Sequence, residues 1–118
     1  TINQQFENNL TYLAKFKNCN YQITNLKLVD LNSKKAPIAE YLETSFNEYT
    51  IKTPTTNYIY NKLSKEVFDL NGKTLVTIES NSLLFPNKGK IIVSIDRNVE
   101  LLISSLFYLR HLESNKVY

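Results

Sequence analysis

Scarcity sets the first limits on this chain. Its 118 residues hold Gly 2, Pro 3, Cys 1 and neither Met nor Trp. So little glycine and proline excludes collagenous, elastic and low-complexity chains. A Gly-rich phosphate loop, a Walker A sequence and a nucleophile elbow are all missing. Cys19 stands alone, which removes an intrachain disulfide and a zinc site built from sulfur. There is one histidine, no His-Glu-x-x-His and no carboxylate-rich calcium loop, so no metal and no cofactor is expected. Charge of one sign is also in short supply. Lys+Arg 14 against Asp+Glu 11 leaves a formal +3 and a pI near 8.9. Nucleic-acid binding domains usually carry a larger, clustered excess, so that partner is not expected. Twelve of the fourteen cations are Lys, which favours solvated point charges over bidentate Arg contacts.

What is present is core material: 42% apolar and 12% aromatic residues, too much for a disordered segment. The length fits one domain. The chain starts at Thr1 without Met, and its first residues show neither a basic nor an apolar signal region, so a fragment of a longer chain is expected. The longest apolar stretch, Val99 to Leu112, falls short of the ~20 residues that a membrane-crossing helix needs. A soluble domain compatible with the cytoplasm follows as the expectation, with secretion left open.

Spacing of apolar residues assigns the elements. Phe6, Leu10, Leu13 and Phe16 recur at three and four, which predicts an amphipathic N-terminal helix ending near Asn18-Cys19-Asn20. Tyr21 to Asp30 reads as one strand with a bulge, because Leu26 and Leu28 fall one step out of phase with Tyr21 and Ile23. Pro37 suits a first helical position, and Ile38, Tyr41, Leu42, Ser45, Phe46 and Tyr49 follow with helical spacing, predicting a middle helix. From Tyr49 the pattern turns to strands: Tyr49–Thr53, Tyr58–Tyr60, Val67–Leu70, Leu75–Ile78 and Lys90–Ile95. Asn71-Gly72 lies between two of them and predicts a hairpin closed by a type I′ turn.

The last segment, Val99 to Leu112, begins after Asp96 or Asn98 as an N-cap. At about 100° per residue only Glu100, Ser104 and His111 form a polar stripe, and the rest of the circumference is apolar. Such a helix has to be covered, and the preceding strands are the available cover. The expected fold is α+β: a curved antiparallel meander packed around or against the C-terminal helix, with an N-terminal and a middle amphipathic helix.

The order of elements adds a resemblance. Asp69-Leu-Asn-Gly-Lys-Thr-Leu-Val-Thr-Ile78, the Phe85-Pro86 loop, Ile91–Ile95 and Asp96-Arg-Asn-Val-Glu-Leu-Leu-Ile-Ser-Ser-Leu-Phe-Tyr-Leu109 belong to a stretch, residues 65–112, that resembles the closing part of the tubby C-terminal-like group. That group includes the LURP-one-related and phospholipid-scramblase-like domains. The resemblance implies a β-barrel with a hydrophobic helix through its centre, and action at membrane surfaces through phosphoinositide or other lipid contacts. No site residue is carried over from it.

The candidate site residues each have an ordinary alternative. His111 and Glu100 share a helix stripe but lie eleven positions apart, about three turns, and cannot touch. Cys19 has no neighbouring base in sequence and reads as a small hydrophobe. Tyr49, Tyr58 and Tyr60 either line a groove or build a core face and a cross-strand ladder. Lys62, Lys65, Lys73, Lys88 and Lys90 lie at or beside strand ends. With Leu83, Leu84 and Phe85 they would form a basic rim around an apolar finger, suited to an anionic membrane surface; edge protection is the plain reading of the same lysines. Missing catalytic patterns favour a non-enzymatic module that binds a protein partner. A lipid-surface module is the alternative, and a small enzyme with a pocket between sheet and helix comes third.

Overall fold

A computed structural model describes residues 11–32, 37–80 and 89–114. Among the described residues nine strands precede one helix: β1 (Thr11–Lys15), β2 (Asn20–Thr24), β3 (Lys27–Asp30), β4 (Ala39–Ser45), β5 (Glu48–Lys52), β6 (Asn57–Asn61), β7 (Glu66–Phe68), β8 (Thr74–Ser80), β9 (Gly89–Val93) and α1 (Val99–Ser114). The strands pair in chain order, each antiparallel to the last, in one open sheet whose edges are β1 and β9.

Register explains why this pattern holds together. Ile23 stands opposite Leu28, Leu28 opposite Ala39, Tyr41 opposite Ile51, and Ile51 opposite Tyr58. Tyr49 meets Tyr60, Tyr60 meets Val67, and Val67 meets Val76. All of these residues are buried, so one face of the sheet carries an unbroken apolar band from β2 to β8. Leu101, Leu102, Leu106, Leu109 and Leu112 of α1 pack on that band.

The helix touches β2, β7 and β8 and hydrogen-bonds to β4 and β5, while Asn98, just before it, hydrogen-bonds to β6. The helix is covered on its sheet side, while Glu100, His111 and Ser114 remain exposed and Ile103 and Phe107 are half-buried. Ser104 leaves the expected polar stripe: it is buried, its hydroxyl satisfied by the Glu100 carbonyl at 2.7 Å.

Two expected helices are replaced by strands. Thr11–Lys15 of the N-terminal segment is β1, and residues 1–10 lie outside the described residues. In the middle segment, Leu42 and Phe46 are exposed while Ala39, Tyr41, Tyr49 and Ile51 are buried, which is the two-residue period of β4 and β5. Helical spacing there combined residues that face opposite sides of a sheet. The supposed bulge in Tyr21–Asp30 is a two-residue turn between β2 and β3, with Asn25 at φ 55° and Leu26 at φ 64°. A leucine in the left-handed region is unfavourable by itself. Here the Leu26 N–H donates to the Tyr108 hydroxyl at 3.2 Å and its carbonyl accepts from Tyr41 N–H at 2.9 Å.

The β7–β8 hairpin is present, but its turn is not type I′. Only Gly72 has positive φ, +89°, and the loop closes through Gly72 N–H to Asp69 O at 3.1 Å and Asp69 N–H to Lys73 O at 2.9 Å. The Asp69 side chain accepts from Asn71 N–H and Lys73 N–H, both at 2.9 Å. That carboxylate organises the longer loop, which a dipeptide rule for Asn-Gly does not anticipate.

A Cβ at Gly72 would meet nothing within 4 Å, so substitution there costs only backbone strain. Gly72→Val should destabilise by more than ~1 kcal/mol in urea unfolding, and Gly72→Asn by clearly less, because Asn tolerates positive φ. Equal losses from the two variants would contradict this account of the turn.

Candidate functional site

Successive turns of a meander alternate between its two ends. The β4–β5 and β6–β7 turns therefore share an end, and β5–β6 pairing places them side by side. Lys62 N–H donates to Asn47 O at 2.8 Å and ties one turn to the other. Ser45 Oγ accepts from Asn47 N–H at 3.2 Å in the first turn. Asn61 Oδ1 accepts from Leu63 and Ser64 N–H, each at 2.9 Å, in the second, which leaves Lys65 at φ 58°. Short polar side chains thus hold both loops in fixed shapes. At their tips stand the two most exposed large apolar side chains among the described residues, Phe46 at 90% and Leu63 at 75%.

Behind the tips lies a charged aromatic cluster. Lys62 Nζ sits 4.8 Å from the centre of the Tyr49 ring, pairs with Glu43 and lies 3.9 Å from Glu113. Tyr49 donates its hydroxyl to Glu113 Oε2 at 3.0 Å, joining β5 to the last turn of α1. The Tyr60 ring packs 6.4 Å from that of Tyr49, and its buried hydroxyl makes no hydrogen bond among the described residues. Burial pushes the Tyr60 hydroxyl up to about 12, with Arg110 opposing and Glu113 reinforcing the shift.

Further inside, Ser105 Oγ donates to the Leu101 carbonyl at 2.7 Å, so across the 2.6 Å Tyr41–Ser105 contact the tyrosine is the donor. Burial raises the Tyr41 and Tyr108 hydroxyls as well, and the Leu26 N–H, which donates to Tyr108, pulls that one back. Tyr58 accepts from Asn98 Nδ2 at 3.0 Å at the start of the helix.

The lysines considered in the sequence separate. Lys62 is largely buried in the cluster just described, its side chain 10% exposed. Lys65 is exposed beside Leu63. Lys73 belongs to the β7–β8 turn at the opposite end of the sheet, and Lys90 is exposed on edge strand β9. Phe85 and Lys88, with Leu83 and Leu84, lie outside the described residues. Tyr49, Tyr58 and Tyr60 are core residues that reach toward α1. Glu100 and His111 lie near opposite ends of the helix.

Two hollows lie at the end away from the tips. One, about 220 Å³, is lined by Pro37, Ile38, Glu40, Lys52 and Pro54. The other, about 510 Å³, opens between Asp69, Lys73, Ser94 and Asp96. Neither lining includes His111 or Cys19, so neither joins a nucleophile to an imidazole. Among the described residues no group of three His, Cys, Asp or Glu side chains is gathered closely enough to hold a metal ion, and no helix is long and apolar enough to cross a membrane.

Nothing local in the sequence marks Phe46 or Leu63 as exposed. Helical spacing puts Phe46 on a helix face, although its neighbours Ser45 and Asn47 are turn formers; Leu63 sits in Asn61-Lys-Leu-Ser-Lys65, whose leading Asn is the local turn signal. No family model, curated protein or solved structure matches the chain.

The tyrosines make stability depend on alkaline pH. An unfolded tyrosine titrates near 10.0, and Tyr60 in the folded chain near 12. A raised folded value means that the stabilisation is complete below pH ~10 and disappears as pH climbs from there toward 12. The urea midpoint should hold steady between pH 7 and 9 and fall above 10, and Tyr60→Phe should flatten that fall. Lys62→Met keeps the aliphatic packing over Tyr49 but removes the charge between two carboxylates, and should cost about 1–2 kcal/mol. A neutral result in thermal unfolding would show that the ion pairs contribute nothing.

Proposed function

We propose that this domain is a non-enzymatic protein-interaction module whose contact surface is the end of the sheet carrying Phe46 and Leu63. The observation that supports the reading is the pair itself: two large apolar side chains, 90% and 75% exposed, on adjacent turns joined by the Lys62–Asn47 backbone bond. Fixed apolar anchors lose little conformational freedom when they bind, and so suit insertion into a partner's pocket.

Charge favours a protein over a lipid surface. Around the tips, Glu43, Glu48, Glu66 and Glu113 outnumber Lys62, Lys65 and Arg110 among the described residues. An anionic bilayer rewards each nearby cation by ~1 kcal/mol, and here acidic groups offset them. The same groups suit a partner with an apolar pocket and a basic margin.

Photoreactive residues placed at 46 and 63 should cross-link one and the same protein in cells that make the chain, and a residue at 73 should not. Phe46→Ser in the chain that is photoreactive at 63, and Leu63→Ser in the chain that is photoreactive at 46, should each abolish that cross-linking, while the two serines together leave thermal unfolding within ~0.5 kcal/mol, since both side chains are exposed. Vesicles containing phosphatidylserine should not sediment the chain. Sedimentation that weakens with salt and is lost in Phe46→Ser and Lys65→Glu would replace this reading with a lipid-surface one.

A further inference from the structure

The two edges of the sheet differ. β1 carries Lys15 and leads to Lys17, charges of the kind that keep an edge from pairing. β9 has one charge, Lys90, near its start, and from Ile91 to Ile95 it has no charge and no proline. Its pairing with β8 runs without a register shift. Ile91 and Ile92 are both exposed.

Phase shows which backbone groups of β9 are left over. Ser94 N–H donates to Leu75 O at 2.8 Å, and in the same register Ile92 stands opposite Thr77 and Lys90 opposite Glu79. Bonded pairs alternate along an antiparallel ladder, so Ile92 and Lys90 turn their peptide groups toward β8, and Ile91 and Val93 turn theirs outward. Among the described residues no strand pairs with that side. Ile91 and Val93 stand opposite Ile78 and Val76, and so lie on the face that carries the core.

We infer that β9 pairs with β9 of a second copy of this chain, antiparallel about a two-fold axis through Ile92. In that register Ile91 faces the partner's Val93 and Val93 the partner's Ile91, so the outward N–H and C=O groups of both copies bond one another. Ile92 faces its own counterpart, a β-branched cross-strand pair. Lys90 falls opposite the partner's Ser94, so no like charges meet. The apolar layer of one copy then continues into the next. β9 is self-complementary in this alignment, whereas moving the axis to Lys90 would oppose two lysines.

The test uses the whole chain in sedimentation equilibrium. A concentration-dependent dimer is expected, weakened at least about tenfold by Ile91→Pro, which removes an outward N–H from each copy but no bond to β8. An unchanged urea transition confirms that the variant is folded. In a Cys19→Ser background, Ile92→Cys should oxidise to a disulfide-linked dimer and Ile91→Cys should not, because only residue 92 faces itself. Phe46→Ser with Leu63→Ser should leave the dimer intact, which separates this pairing from contacts at the turn tips. A chain monomeric at all concentrations, or equal cross-linking at 91 and 92, would overturn the inference; a dimer lost only in the tip variant would do so too.

Discussion

The fold depends on hiding one helix. α1 is apolar over more than half its circumference, and water is excluded from it only if strands cover that surface. Burying a Leu-sized side chain contributes about 1.5–3 kcal/mol, so the five packed leucines of α1 supply a total comparable with the stability of a whole domain before chain entropy is counted. The inward band from Ile23 to Val76 exists to receive them.

Apolar contact alone would let the helix slide. Tyrosines prevent this. β4, β5 and β6 each send one to a different level of α1: Tyr41 to Ser105, Tyr49 to Glu113 and Tyr58 to Asn98. Tyr108 returns the bond from the helix to the β2–β3 turn at Leu26. These bonds sit at separate axial positions, so displacement by a residue would break them and strand buried polar groups at a cost of about 1–3 kcal/mol apiece. The same bonds hold the β2–β3 turn in its unfavourable left-handed shape and anchor the end of the helix beneath the exposed turn tips. The exposed turn tips and the core are therefore mechanically continuous, through Lys62, Tyr49 and Glu113.

Sequence alone determined the parts whose signal is local. The five strand segments from Tyr49 to Ile95, the β7–β8 hairpin and the C-terminal helix were legible because alternation, Asn-Gly and an apolar helical run each carry their own physics. The need for a cover followed from the helix. Tertiary structure decided the rest. Ile38 to Tyr49 satisfies helical and strand spacing equally well, and the tie was broken by pairing of Ala39 and Tyr41 with β3 and β5, partners distant from one another in the chain. Leu26 adopts positive φ only because Tyr108, far along the sequence, bonds its N–H. Lys62 looked like a rim charge and became a largely buried one, since its setting is made by Glu43, Tyr49 and Glu113 from three other elements. Phe46 and Leu63 are ordinary apolar residues in the sequence; their exposure is a property of two turns brought together, which no single segment encodes.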